Sequence, residues 1–224
     1  MSGLAVESRL AAGPGVLTVA CGGRSIALAS IIEREIAAGA KAIISFGIAG
    51  ALIPVLSPGA LVVASAVVSR DGSFAVDADW TRALLRLLSG AISAPLAGSD
   101  AVVADPVDKA RLHELTGACA VDMESHVAAR IAAEHGLPFA ALRAIADPLA
   151  RTLPPAAKIA LTAKGDVDVL AVLGSLARTP RQLPRLLHIA FDTQKALGAL
   201  ARGRRLMGSR LGYTDLDELS LHVI

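Results

Sequence analysis

From Ala42 to Ser69 the chain carries no charged side chain, and any fold it adopts must bury that run. The run is as long as a membrane-spanning helix. Gly47, Gly50, Pro54, Pro58 and Gly59 cut it into pieces too short for one, because proline breaks a helix interior. Val62-Val63 and Val67-Val68 are β-branched and suit strands. Strands covered on both faces read as continuous apolar runs. The run is therefore expected to form the centre of a sheet.

The flanking segments alternate between strand-like and helix-like patterns. Gly3–Val6 and Val16–Ala20 are predicted strands. Ser25–Ala38 is a predicted helix, with Ile26, Ala29, Ile32 and Ile36 on one side and Gly39 closing it. Lys41–Phe46 and Ala60–Val68 follow as buried strands, Asp79–Leu88 as a helix, and Ile92–Val103 as mostly extended chain. Pro106–Leu115 is a helix with proline near its start. Ala118–Val121 is a short strand, Glu124–His135 a helix ended by Gly136 and Pro138, and Phe139–Ile145 the next strand. From about Pro155 onward the pattern is helical. There is no internal repeat and no linker-like stretch. The alternation predicts one α/β domain over residues 1–224, a mixed, mainly parallel sheet flanked by helices on both faces.

Composition removes several classes of function. An apolar content of 54% excludes intrinsic disorder, and a net charge of +2 with 3% aromatics gives no footing for nucleic acid. Cys21 and Cys119 stand in no CxxC or Cys/His spacing and read as buried thiols of a reducing compartment. The five histidines form no metal-ligand cluster, so neither a metal nor a resident cofactor is expected. The N-terminal stretch, with Glu7 and Arg9 ahead of a short interrupted apolar segment, makes a poor signal peptide. A cytoplasmic protein is expected.

Two carboxylates end apolar strands: Val121-Asp122-Met123-Glu124 and, after one helix, Arg143-Ala144-Ile145-Ala146-Asp147. Taken singly, Glu124 is a first-turn acid with Asp122 as N-cap, and Asp147 is a turn-initiating Asp-Pro. In a parallel sheet both would reach carboxyl strand ends, where ligands bind.

These two motifs resemble the nucleoside phosphorylase superfamily, and within it the methylthioadenosine/S-adenosylhomocysteine nucleosidases. Gly47-Ile48-Ala49-Gly50 resembles the family's glycine loop, and Gly98-Ser99-Asp100-Ala101-Val102-Val103 the segment whose end faces the purine. Gly3 through Glu7 resembles the opening strand that delivers an acid to the site. The likeness extends over roughly residues 3 to 200. It implies that Glu124 accepts hydrogen bonds from ribose hydroxyls while Met123 packs on the sugar. It implies too that Asp147 is the general acid for purine N7, and that Glu7 activates water. Gly50, Ile48, Val102, Val103 and Asp122 would complete the substrate pocket. A homo-oligomer, dimer or hexamer, is implied because relatives complete their sites with a neighbouring subunit.

The chain departs from that pattern in places. Ile48 stands where relatives often have serine, and Val102 where nucleosidases tend to stack an aromatic ring. The segment between Glu7 and Gly22 is short. The apolar Ser45-Phe46-Gly47-Ile48 stretch favours water over phosphate as nucleophile. Against that, Cys21-Gly22-Gly23-Arg24-Ser25 lies at a helix N-terminus, so Gly22, Gly23 and Arg24 form an alternative site for phosphate as co-substrate. No GxGxxG is present, which weighs against a dinucleotide fold.

From about residue 178 the chain is basic: eight Lys/Arg against Asp192 alone between Arg178 and Arg210, interleaved with apolar residues. It reads either as a helix covering the domain or as a peripheral contact with the inner membrane. With the short N-terminal region, it gives a likeness to the hopanoid-associated phosphorylase branch. That branch implies a 5′-substituted adenosine such as adenosylhopane as substrate. A nucleoside- or lipid-binding homologue without catalysis is the alternative from another class.

Overall fold

Strands β1 (Ile43–Ala51), β2 (Leu61–Ser69), β3 (Gly72–Ala75), β4 (Ile92–Gly98), β5 (Ala120–Asp122) and β6 (Phe139–Asp147) form one sheet in the order β3-β2-β4-β5-β1-β6. β2 also pairs with β6, so five strands close into a ring and β3 is appended to β2. The computed structural model describes residues 1–22, 24–153, 175, 178, 179, 181 and 183–213. Helices α1 (Ala5–Ala11), α2 (Ser25–Ala37), α3 (Ala78–Leu87), α4 (Pro106–Thr116), α5 (Ser125–Glu134) and α6 (Leu183–Leu206) surround the ring.

The sheet is mixed, as expected, and ring closure is the feature the sequence did not announce. β1/β6, β2/β4 and β4/β5 are parallel, while β1/β5, β2/β6 and β2/β3 are antiparallel. Two parallel groups, β1–β6 and β2–β4–β5, run in opposite directions and meet along both seams. Hydrophobic periodicity reports which faces are buried, and it carries no information on strand direction.

The central strands are mostly apolar because both faces are covered. On one face Leu28 and Ile32 of α2 and Val127 and Ile131 of α5 pack against Val62, Leu96 and Ile145. On the other, Trp80 and Leu84 of α3 and Ala196 and Leu200 of α6 pack against Phe46, Val63 and Leu142. Neighbours such as Val62 and Val63 face opposite ways, as the strand pleat requires.

Three local expectations change. Gly3–Val6 is not a strand: α1 begins at Ala5, and Val16–Ala20 contributes only isolated bridges at its ends. Ile92–Val103 is strand only to Gly98. β3 went unpredicted, although Asp71-Gly72 marks its hairpin and Gly72 sits at φ 131°. The helical reading from Pro155 is met in α6, and residues 154–174 lie outside the described residues.

Candidate active site

Arg143 is the hub of a buried polar cluster. It sits in the middle of β6, fully buried, opposite Gly47 of β1. Its Nε donates to Asp122 Oδ2 at 3.0 Å, and Nη2 donates to Ser45 Oγ at 2.5 Å and Ser125 Oγ at 3.0 Å. Glu124 Oε2 lies 3.7 Å from Nη2. Nη1 is buried with no partner among the described residues. Asp122 divides its carboxylate, because Oδ1 accepts from the Glu124 and Ser125 amides at 2.8 and 2.6 Å and so anchors the start of α5. Glu124 makes no capping bond, which frees its side chain for the cluster.

Glu7 arrives from the first turn of α1 rather than from a strand. Its Oε2 accepts from Leu4 N and its Oε1 from Ile48 N, both at 2.7 Å. A Cβ at Gly47 would stand 2.5 Å from Arg143 Nη1 and 2.8 Å from Glu7 Oε1. A Cβ at Gly3 would stand 2.6 Å from Glu124 Oε1. Glycine at these two positions lets backbone approach the cluster. Burial pushes the Glu7 carboxyl up, with Arg143 opposing. Burial takes Glu124 up to about 7, again against the pull of Arg143.

The Glu124 shift has a consequence for stability. Unfolded, this carboxyl titrates near its ordinary 4.5, and folded near 7. Between those values the folded state holds the extra proton, so stability falls as pH rises through the window and stays lowered above it. Glu124→Gln is expected to be more stable than wild type by about 1–3 kcal/mol near pH 8, with the two converging below about pH 5. Urea unfolding at both pH values measures this, and equal stability near pH 8 would contradict it.

Asp147 ends β6 beside Gly50 of β1. Its Oδ2 would lie 3.6 Å from a Cβ at Gly50, as would Val121 Cγ1. The same Oδ2 pairs with Lys109 Nζ at 2.6 Å, while Oδ1 is buried without a partner among the described residues. Burial raises this carboxyl, and Lys109 opposes the rise. Gly47 and Gly50 are three residues apart on β1, which sets the two ends of the site about 10 Å apart. β5 runs back along β1, pairing Val121 with Gly50, so Glu124 reaches the Gly47 level. The acids therefore converge along β1, and not at the shared carboxyl ends that a parallel sheet would give.

The Gly22–Ser25 turn, the alternative phosphate site, has an acidic neighbour. Gly22 takes φ 56° and Arg24 is exposed. Ser25 Oγ, at the start of α2, donates to Asp100 Oδ1 at 2.7 Å. Asp100 also meets Arg70 Nη2 at 2.9 Å and His126 Nε2 at 3.3 Å, and the Ser25 bond holds its carboxyl below the usual range. A carboxylate thus stands at the helix N-terminus that was the alternative site for phosphate. Gly23 lies outside the described residues.

Residues 6–172 match the phosphorylase superfamily. The chain belongs to this superfamily. Its fold is shared with 5′-methylthioadenosine/S-adenosylhomocysteine nucleosidase from Helicobacter pylori, 18% identical, TM-score 0.60, over 87% of this chain and 78% of that one. It is similar also to the Neisseria meningitidis nucleosidase of the same name in complex with methylthio-immucillin-A, 19% identical, TM-score 0.59, over 87% and 80%. A third relative is Helicobacter pylori futalosine hydrolase, 18% identical, TM-score 0.58, over 84% and 75%. No curated protein is similar enough in sequence to count as a match.

In this superfamily member, the positions expected around the base and sugar divide. Ile48 offers its amide to Glu7, and Val103 packs in the cluster of Leu52, Ala97 and Val121 beside Gly50. Met123 is half-buried beside Glu124, and Val102 is exposed. Arg143, Lys109, Ser45, Ser125 and Asp100 were assigned no role from sequence. An arginine inside an apolar strand was a signal for the first. Lys109 gave none, since a lysine on a surface helix is ordinarily solvated. A cavity of about 790 Å³ at the opposite end of β1, walled by Ile43, Ile44, Trp80 and Tyr213, contains none of the three site carboxylates. Among the described residues no group of His, Cys, Asp and Glu could hold a metal. No described helix is long and apolar enough to cross a membrane. α6 buries Ala196, Ala199 and Leu200 against the sheet but exposes Leu183, Leu187 and Phe191.

Proposed function

We propose that the protein cleaves the N-glycosidic bond of a 5′-substituted adenosine and releases adenine, with adenosylhopane as the candidate substrate. The observation that carries this reading is the buried, unpartnered Asp147 Oδ1 about one nucleoside length along β1 from the Glu124–Arg143–Glu7 cluster. Asp147 donates its proton to N7 as the bond to the sugar breaks. The base then leaves neutral, and the carboxyl group becomes a carboxylate. Glu124 accepts the ribose hydroxyls, and Met123 lines the sugar. Val103, Gly50 and Ile48 shape the pocket, and exposed Val102 borders it.

We favour hydrolysis. Glu7 takes a proton from water, whose oxygen Arg143 Nη1 can bind, and the resulting hydroxide adds to the anomeric carbon. The Asp100 carboxylate beside Ser25 speaks against an anion at Gly22-Arg24. The second reading is phosphorolysis, in which the orphaned Nη1 donor and exposed Arg24 hold phosphate as co-substrate. The relatives named above act on or bind small nucleosides and their analogues, and their names supply the substrate class proposed here. A homo-oligomer, dimer or hexamer, belongs to the same proposal. So does peripheral inner-membrane contact through Leu183, Leu187 and Phe191, next to Arg181 and Arg185, in a cytoplasmic protein.

The test is chromatography of reaction products from adenosine derivatives differing at the 5′ carbon, with and without phosphate. Free adenine with ribose bearing a 1-hydroxyl is expected without phosphate. A 1-phosphate product formed only with phosphate would select phosphorolysis. Tight binding of an adenosine analogue with no base release would select the silent homologue.

A further inference from the structure

Lys109 is the one buried residue of α4 and its ammonium is wholly withdrawn from water. An ammonium has three hydrogens to donate. Here they meet Asp147 Oδ2 at 2.6 Å, Pro148 O at 3.1 Å and Arg151 O at 3.2 Å. The cation is therefore fully bonded by the β6 end and the turn after it. Nothing in these contacts serves α4 itself, which is capped independently by Asp105 and Gly117. A buried lysine is costly unless it is paired, and the partner here is the carboxyl group that the proposed reaction uses.

We propose that Lys109 is a positioning residue for Asp147: it holds Oδ2 so that Oδ1 alone meets the base, and it balances the carboxylate left when the proton moves to the base. This deepens the reading of Asp147 as the group facing the base and rests on it. In the step itself the Asp147 O–H bond breaks, an N7–H bond forms, and the negative charge remains on a carboxylate already bonded to the ammonium. In an apolar pocket a bare carboxylate is disfavoured. Without the ammonium, Asp147 would keep its proton to higher pH and yield it less readily. Among the described residues, the other charged groups near Asp147 are Arg151, on the loop after β6, and Asp192 of α6, which are ion-paired with each other. Their opposite charges leave Lys109 as the uncompensated cation among the described residues around Asp147.

The test is the pH profile of adenine release by wild type, Lys109→Met and Lys109→Arg. Lys109→Met is expected to lose on the order of 100-fold in kcat with KM little changed. The alkaline limb of its profile should also rise by about one pH unit or more. Lys109→Arg should bring the limb back toward wild type. A lower kcat with an unmoved limb in Lys109→Met would mark Lys109 as a purely structural residue and overturn the proposal. A second measurement needs neither variant to fold nor turnover to occur. In the free wild-type protein the Asp147 carboxyl carbon, identified by NMR as the resonance missing from Asp147→Asn, should titrate together with the side-chain resonance of Lys109. A carboxyl titration that leaves the Lys109 resonance unmoved would overturn the pairing. Absence of base release from every nucleoside, with the two resonances moving together, would count against the proposed reaction and leave the pairing standing.

Discussion

Arg143→Met is expected to destabilise the protein by about 3–5 kcal/mol, the cost of removing one partner from a buried charged network. The guanidinium bonds Asp122, Ser45 and Ser125 and lies beside Glu124, all of them buried. Methionine fills most of the volume but leaves those acceptors facing one another. Asp122 would then anchor α5 while carrying an unbalanced charge, so the loss should propagate to the position of Glu124. Arg143→Lys keeps the charge but not the three-way geometry and should fall between. Urea unfolding measures both variants. A loss below about 1 kcal/mol in Arg143→Met would mean that the cluster is wetter than its burial indicates.

Asp147→Asn is the second large effect and should act on chemistry rather than folding. Asparagine preserves the shape and can still accept from Lys109, but it has no proton to give N7. Adenine release is expected to fall by about 10²–10⁴-fold, the usual worth of general-acid help. The loss should appear in kcat with little change in KM. A riboside whose leaving group departs readily as an anion should be much less affected. Steady-state rates on both substrate types measure this, and an equal loss on both would point to a role in binding.

How far the sequence carried depends on what each residue's signal reflects. The uncharged stretch around Gly47 and Gly50 foretold buried strands because both faces of β1 and β2 are covered. Strand direction left no such trace. The return of β5 against β1, which carries Glu124 to the level of Gly47, became visible only in the paired register. Four residues from Gly3 cannot distinguish a strand period from a helical one, and α1 proved to be the element that carries Glu7. From that helix the Glu7 carboxylate accepts from the Ile48 amide of β1. Lys109 and Asp100 were illegible for another reason. Their roles come from residues about 40 and 75 positions away in the chain, Asp147 and Ser25, and a charged side chain on a polar-looking segment is ordinarily solvated.

The most direct measurement is a crystal structure of Asp147→Asn with a 5′-substituted adenosine bound intact. The account predicts the N7 edge of the base against residue 147, the ribose hydroxyls on Glu124, and the anomeric carbon facing the space between Glu7 and Arg143. A nucleoside seated elsewhere, for instance in the cavity beside Trp80, with both carboxyl positions untouched, would contradict it.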